Sequence, residues 1–215
     1  MGKLISFQTY VPCGSWGISY QECLVKYVVS LPFKCIFGCK GKLINLFKFP
    51  NNIDNMDNHF VVASSATKES QYEALLAQVV AVSQYETDLI AKMANVSAML
   101  KMQFGWFWIG FYRVVDKELI LGPFQGTLAC TRIPFGKGVC GSAWAQAATI
   151  VVPDVHQFPG HIACSSASLS EIVVPVYNKQ KEIIAVLDVD SDTYATFDAI
   201  DAQYLEAIVA AVFAV

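Results

Sequence analysis

Charged side chains are scarce in this chain of 215 residues, of which only 15% are Asp, Glu, Lys or Arg. The net charge is −3, and the sequence holds no cluster of Lys and Arg. A protein that neutralises a nucleic-acid backbone needs such a cluster, so we expect no nucleic-acid partner. The composition favours a small-molecule ligand instead.

Long apolar runs are also lacking, although 54% of the residues are hydrophobic. Lysines such as Lys26 and Lys34 interrupt the apolar N-terminal stretch, whereas a helix that crosses a bilayer needs about 20 apolar residues in succession. Polar residues break up the start of the chain, which argues against a secretory signal. We therefore expect no membrane association and a soluble protein in the cytoplasm.

The seven cysteines fall into two groups, and the first lies near the N-terminus. Cys13, Cys23, Cys35 and Cys39 occupy a segment with no sustained helical or strand period. Their spacing lacks the short cysteine pairs of zinc sites, so unpaired apolar cysteines are favoured over a zinc site.

We expect the domain to begin after this segment. The Asn- and Asp-rich stretch at residues 50–58 is typical of a linker, and Met56 lies within it. Residues 1–56 are therefore predicted to be an extension and linker, either disordered or wrongly included in the predicted gene, with Met56 as the true initiator. Residues 57–215 are predicted to form the domain.

Hydrophobic periodicity predicts an α+β fold for the domain. Two amphipathic segments predict N-terminal helices over residues 68–83 and 89–101, and an apolar stripe from Phe197 onward predicts a C-terminal helix. Five β-branched and aromatic runs between them predict strands: 106–115, 118–121, 150–152, 171–176 and 183–190. Short turns after the first and fourth runs predict hairpins. We therefore expect one antiparallel sheet flanked by helices, with a ligand pocket on its open face.

The second group of cysteines consists of Cys130, Cys140 and Cys164. Each lies beside Gly, Ser or Ala rather than inside an apolar strand, which favours loop thiols over small buried apolar residues. Cys140 follows two glycines at a predicted helix start, where the helix dipole and Lys137 are expected to lower the pKa of the thiol. His161, three residues before Cys164, is placed to help hold a thiolate.

A zinc site is the alternative for these three thiols, with His156 or His161 as a further ligand. None of the spacings gives the short chelating pairs that zinc sites use. We therefore predict no metal.

Two acids alternate with apolar residues in the segment VLDVDS at 186–191. Asp188 and Asp190 project from one face of a strand there, and Glu171 begins the preceding run. Crowding should raise the pKa of at least one carboxyl, which leaves a protonated acid near neutral pH or a receptor for an ammonium group. The alternative is ordinary solvation at strand ends, but acids inside apolar runs are costly to keep without a role.

Seven motifs run through the domain: WIGFY at 108–112, LGPFQG at 121–126, FGKGVCG at 135–141, VVPDV at 151–155, PGHIAC at 159–164, SEIVVPV at 170–176 and VLDVDS at 186–191. Together they resemble the free methionine-R-sulfoxide reductases, a family of GAF domains. The resemblance implies a thiol-dependent reduction of free L-methionine-(R)-sulfoxide to methionine. It further implies a cysteine sulfenic acid, an intramolecular disulfide that thioredoxin reduces, and no bound cofactor.

The resemblance also implies roles for individual residues. Cys164 corresponds to the cysteine that attacks the sulfoxide and Cys130 to a resolving cysteine. Cys140 is the third thiol, either the nucleophile itself or a partner in the relay. Trp108 is placed against the substrate methyl and sulfur. Glu171, Asp188 and Asp190 are placed around the sulfoxide oxygen and the amino group. The predicted substrate-binding residues are Trp108, Tyr112, Gln125, Gly126, Glu171, Asp188 and Asp190.

Two other functions remain open from the sequence. One is a GAF domain that senses a small ligand such as a cyclic nucleotide, and the other is a peroxide-responsive thiol switch without turnover. A sensor has no need of three loop thiols beside a carboxylate cluster, which favours the reductase. Members of the resembled family often pair through their N-terminal helices, so a homodimer is expected.

Overall fold

The computed structural model describes residues 66–162 and 164–214. The predictions for the N-terminal segment, including its four cysteines, the initiator Met56 and the domain boundary at residue 57, lie outside these residues. Within the described ranges, no helix has the length and apolar character needed to cross a membrane.

Four α-helices and six strands make up the described part of the chain: α1 Lys68–Ser83, α2 Leu89–Phe104, β1 Trp108–Val115, β2 Glu118–Gln125, β3 Arg132–Pro134, α3 Gly138–Gln146, β4 Ile150–Val152, β5 Ser170–Tyr177, β6 Ile183–Ser191 and α4 Ala199–Phe213. A short 3-10 helix, Val155–Gln157, follows β4. The strands form one antiparallel sheet in the order β3-β2-β1-β6-β5-β4. The predicted α+β class, the span of α1 and both hairpins are confirmed.

The sheet departs from the prediction at β2 and β3. β3 is missing from the sequence prediction because three residues ending in Pro134 carry no period of their own. β2 continues to Gln125, past Gly122 and Pro123, where the prediction ends it at Leu121. Since β3 pairs only with residues 118–120 of β2, the segment that carries Pro123 is a sheet edge, where a missing N–H is tolerated.

Side-chain caps explain where the long helices begin. Thr67 accepts from the Ser70 amide at the start of α1, and Asp88 accepts from the Ala91 amide at the start of α2. Asp198 forms a capping box at the start of α4. Gly105, in the left-handed region at φ 70°, ends α2 and turns the chain towards β1.

Alternation along the strands divides the sheet between two apolar layers. Ile109 and Phe111 of β1 belong to the larger core, which α1, α2 and α4 complete. Trp108 and Tyr112 point to the other face and pack in a second cluster with residues of α3. The face away from the three long helices is the one that carries the pocket, as predicted.

A buried acid ties α1 to α4. The Asp201 carboxylate, 1% exposed, accepts from Tyr72 Oη at 2.8 Å, from Lys68 Nζ at 2.7 Å and from the Asp198 amide at 2.9 Å. Burial, together with the negative charge of Asp201, raises the pKa of Tyr72. The phenol therefore stays protonated and remains the donor.

We expect Asp201→Ala to lower the free energy of unfolding by about 3 kcal/mol, because it leaves the buried Tyr72 hydroxyl without an acceptor and removes one arm of the capping box. Urea denaturation monitored by circular dichroism measures the change. Gln203→Ala, an exposed position on the same helix, should shift stability by less than about 0.5 kcal/mol. Equal losses in the two variants would contradict the role given to Asp201.

Candidate active site

Trp108, the first residue of β1, lies against the pocket with a fixed ring orientation. Its ring stacks on Phe124 and Tyr112, with centroids 5.4 and 5.9 Å away. The indole Nε1 donates to the Thr127 carbonyl at 3.0 Å. These contacts hold one large apolar surface beside the other pocket residues.

Two glycines leave room for this ring. A Cβ on Gly110 would lie 2.5 Å from Cη2 of Trp108, and a Cβ on Gly126 would lie 2.5 Å from Cδ1. Gly126 also has φ 145°, a conformation that favours glycine. Gly126 is thus among the predicted residues that contact the pocket wall, whereas Gly110 is missing from the prediction. Its signal is a glycine inside a strand, which marks close approach of a neighbour.

Three acids converge from two neighbouring strands. Asp188 and Asp190 alternate on β6, and Glu171 of β5 is paired directly opposite Asp190. Glu171 and Asp188 are each 6% exposed, and all three line the pocket. The prediction that the two aspartates share a face is confirmed.

Cys140, the third residue of α3, lies against these acids. Its side chain is 3% exposed, and Sγ donates to Glu171 Oε1 at 3.9 Å. The sulfur, one Glu171 oxygen and one Asp188 oxygen all lie within 4.8 Å of one another. Within the described part of the chain, one Asp188 oxygen, Oδ1, is buried without a hydrogen-bond partner.

Burial dominates the ionisation of the acids. It raises the pKa of Glu171 and of Asp188 well above the usual range, and repulsion from the neighbouring carboxylates raises both further. Burial also raises the pKa of Asp190 to about 6, against a hydrogen bond from Ser168 that lowers it. The sequence prediction of at least one raised carboxyl pKa is confirmed, and the raised pKa values favour the protonated form of these acids.

The pKa of the Cys140 thiol is raised, so the prediction of a lowered pKa is wrong. Burial is the largest cause, followed by the negative charges of Asp188 and Glu171. The thiol does lie in the first turn of α3, but Lys137 is exposed to solvent, and the acids lie in direct contact with the sulfur. The predicted helix start at Cys140 is confirmed, because Cys140 is the third residue of α3.

Cys130 and Cys164 form a disulfide, with Cα atoms 5.3 Å apart, an ordinary distance for this bond. Cys130 lies in the loop between β2 and β3, and Cys164 lies in the loop before β5. Both residues are half-buried, and Cys164 lines the same pocket as Cys140. Among the cysteines that the structure describes, Cys140 is the free thiol.

His161 joins the pocket next to the acids. Its Nε2 lies 3.9 Å from Glu171 Oε2. Burial, together with the nearby His156, lowers the pKa of the imidazole, so it is neutral at neutral pH. The histidine that the sequence places near Cys164 therefore also contacts the acid cluster.

The two remaining predicted residues differ in whether they line the pocket. Tyr112 lines the pocket, and burial together with the nearby acids raises its pKa. Gln125 is exposed at the end of β2 and is not among the residues that line the pocket. The prediction also misses several lining residues, namely Phe107, Leu128, Ile133, Ile162 and Ser168. Ser168 has no distinguishing signal, because it is one of several serines in the segment before β5.

Comparison with known proteins identifies the family. The sequence model of the GAF domain matches residues 86–213. GAF domain-containing protein A of Dictyostelium discoideum is 58% identical over 146 residues, which is 67% of this chain and 92% of that protein. Free methionine-R-sulfoxide reductase of Escherichia coli K12 is 49% identical over 126 residues, which is 58% of this chain and 76% of that enzyme. The chain belongs to the GAF-domain family of free methionine-R-sulfoxide reductases.

A solved structure supports this assignment at the level of the fold. The X-ray structure of free methionine-R-sulfoxide reductase from Neisseria meningitidis, in complex with its substrate, matches with a TM-score of 0.68 and 51% identity. The match covers 71% of this chain and 92% of that one. The resemblance drawn from the seven motifs is therefore confirmed. In this GAF domain the motifs bring the disulfide-bonded Cys164, a buried thiol, three acids and an indole ring to one pocket.

Proposed function

We propose that this chain reduces free L-methionine-(R)-sulfoxide to methionine by thiol chemistry. The observation that carries the proposal is a pocket shared by Cys164, which is disulfide-bonded to Cys130, and the buried carboxyls of Glu171 and Asp188, whose pKa values burial raises. Reduction of a sulfoxide needs a thiol that accepts the oxygen and an acid that protonates it. The relatives named for this activity support the same conclusion.

The reaction balances with these groups. The Cys164 thiolate attacks the sulfoxide sulfur while a pocket carboxyl gives its proton to the oxygen. The protonated oxygen then passes from the substrate sulfur to the Cys164 sulfur, which breaks both the substrate sulfur–oxygen bond and the transient sulfur–sulfur bond. Methionine leaves, and Cys164 becomes a sulfenic acid. The Cys130 thiol then attacks the Cys164 sulfur, which forms the disulfide and releases water. Each turnover converts one sulfoxide and two thiols into one sulfide, one disulfide and one water.

We assign the attack to Cys164 rather than Cys140. The Cys140 thiol is buried with a raised pKa, and a nucleophilic thiol needs the opposite environment. It donates to Glu171 instead. Cys140 is accordingly a positioning residue, which orients the carboxyl of Glu171 within the acid cluster.

The pocket offers complementary groups for a free amino acid. The Trp108 ring supplies an apolar surface for the methyl and sulfur, and an ionised Asp190 supplies a partner for the ammonium group. A methionine sulfoxide inside a protein chain lacks that ammonium.

The direct test is methionine formation by the reduced protein from each epimer of free methionine sulfoxide, measured by chromatography with dithiothreitol as reductant. We expect turnover of the R epimer and none of the S epimer. We also expect none of a peptide that carries methionine-R-sulfoxide internally. If neither epimer yields methionine but peroxide still forms the disulfide, the reductase function would be wrong and the peroxide-responsive thiol switch would be favoured.

The affinity for substrate is expected to weaken in acid. Because the pKa of Asp190 is raised to about 6, the carboxylate that binds the ammonium group is present above about pH 6 and becomes neutral below it. The KM for methionine-R-sulfoxide should therefore rise about tenfold for each pH unit below 6. Steady-state kinetics between pH 5 and pH 8, in about half-unit steps, measure this. Asp190→Asn should have a high KM with no such slope, and an unchanged slope in that variant would contradict the assignment.

Gly126→Ala is expected to raise the KM for methionine-R-sulfoxide by about tenfold or more. The added Cβ would overlap the Trp108 ring and push it from its position in the pocket. Gly105→Ala provides the matched control, because Gly105 also has a positive φ but an added Cβ would have no atom within 4 Å. It should lose stability and keep its KM. A similar rise in KM for both variants would show that backbone strain alone is the cause.

A small dithiol protein such as thioredoxin is the proposed reductant. Cys130 and Cys164 are half-buried, and the neighbouring Leu128 is 90% exposed, which leaves an apolar surface beside the sulfur atoms. Thiol–disulfide exchange requires such access. Catalysis by thiols also requires a reducing compartment, so we propose the cytoplasm as the location.

A homodimer is proposed as the assembly. Helix α2 presents Ile90 and Met102 to solvent, each more than 40% exposed. These side chains favour pairing through the N-terminal helices. Light scattering of the full chain measures the mass directly.

A further inference from the structure

The acid cluster with Cys140 is a set of metal-ligand atoms as well as a proton source. The Cys140 sulfur and one oxygen each from Glu171 and Asp188 lie within 4.8 Å of one another. All three side chains are buried. Each comes from a different element, namely α3, β5 and β6, so the backbone holds the three ligand atoms in place.

An independent observation points to a missing partner at this place. Asp188 is 6% exposed, and its Oδ1 is buried without any hydrogen-bond donor in the described ranges. A buried acceptor without a donor is destabilising. A cation bound by the carboxyl would provide a partner for this oxygen.

The dimensions suit a small ion. Tetrahedral zinc, with bonds of about 2.3 Å to sulfur and 2.1 Å to oxygen, holds such a donor pair about 3.6 Å apart. Cys140 Sγ and Glu171 Oε1 are 3.9 Å apart. The cavity of about 30 Å³ beside these residues is large enough to admit an ion or a water.

We propose that Cys140, Glu171 and Asp188 form a binding site for a single zinc ion that excludes substrate. A sulfur ligand with two carboxylates suits zinc or cadmium, whereas magnesium and calcium prefer oxygen ligands alone. The ion displaces the protons of its three ligands to solvent, and no electron transfer is involved. Because Glu171 and Asp188 also serve the proposed reaction, bound zinc competes with methionine sulfoxide.

The first test is a titration of the disulfide form of the full chain with cadmium chloride. Binding is monitored by the ultraviolet charge-transfer absorption of the cadmium–thiolate bond. Wild type and Cys140→Ser share the N-terminal cysteines, so the difference between the amounts of cadmium that the two proteins bind is due to Cys140. We expect wild type to bind one more cadmium ion than Cys140→Ser, and added zinc chloride to displace it. Equal binding by the two proteins would overturn the proposal, whatever the enzymatic activity, because the titration requires no turnover.

Variants of the carboxyl ligands keep the test independent of how Cys140→Ser folds. Asp188→Asn should weaken the Cys140-dependent cadmium absorption by about tenfold or more in affinity. Asp192→Asn removes an exposed acid two residues beyond Asp190 and should leave the affinity unchanged. An unchanged affinity in Asp188→Asn would also overturn the proposal.

Discussion

Cys164→Ser is expected to form no methionine from free methionine-R-sulfoxide, even in the first turnover. Serine cannot take the sulfoxide oxygen to form a sulfenic acid, so the first chemical step is lost rather than slowed. We expect kcat/KM to fall at least about 10⁴-fold. A single-turnover experiment with excess reduced enzyme, in which methionine is measured by mass spectrometry, shows the loss directly.

Cys130→Ser is the matched control for this variant. It should form one equivalent of methionine and stop, because the Cys164 sulfenic acid then has no thiol to resolve it. A sulfenic-acid probe should label Cys164 in that stalled protein. One equivalent of methionine from Cys164→Ser would move the attack to Cys140, and the assignment of roles would be wrong.

Asp188→Asn is expected to lower kcat/KM by about 10²–10⁴-fold, the usual contribution of a positioned acid. The same variant should be more stable than wild type at neutral pH. The folded protein raises the pKa of this carboxyl well above its usual value. The unfolded chain therefore ionises Asp188 more readily, and unfolding gains from that ionisation as the pH rises.

The direction in which the stability of Asp188→Asn changes with pH can be measured. Stability from a raised carboxyl pKa is fully present below the pKa of the unfolded chain and is lost as the pH rises through the folded pKa. Asn does not titrate, so Asp188→Asn should gain at least about 1 kcal/mol over wild type at neutral pH and much less near pH 4. Guanidinium denaturation at both pH values measures the difference, with Asp192→Asn as an exposed control. The same stability difference at the two pH values would contradict the burial argument.

Several features could be predicted from the sequence because they depend on local pattern. The capping signal at Thr67 and the helical spacing that follows it are contained within α1. Alternation of Asp188 and Asp190 with apolar residues fixes their common face once a strand is assumed. Crowding of the acids predicts a raised carboxyl pKa from the sequence, although in the structure burial is the largest cause of the raised pKa values.

Other features depend on tertiary contacts that no local pattern contains. The helix start and Lys137 suggest an activated Cys140, but packing of α3 onto β5 and β6 buries the thiol beside Glu171 and Asp188, and burial outweighs the helix dipole. The pairing of Cys130 with Cys164 depends on two loops that are far apart in the sequence. β3 exists only because the edge of β2 is available to pair with it.

The central claim is that the reaction ends in a disulfide between Cys130 and Cys164, with Cys140 outside the relay. To test it, reduced wild-type protein is mixed with one equivalent of free methionine-R-sulfoxide in the absence of reductant. The protein is then alkylated and digested, and peptide mass mapping identifies the state of each cysteine. We predict methionine and the Cys130–Cys164 disulfide in equal amounts, with Cys140 recovered as the alkylated thiol. A disulfide that contains Cys140, or methionine formed without a disulfide between Cys130 and Cys164, would contradict the account.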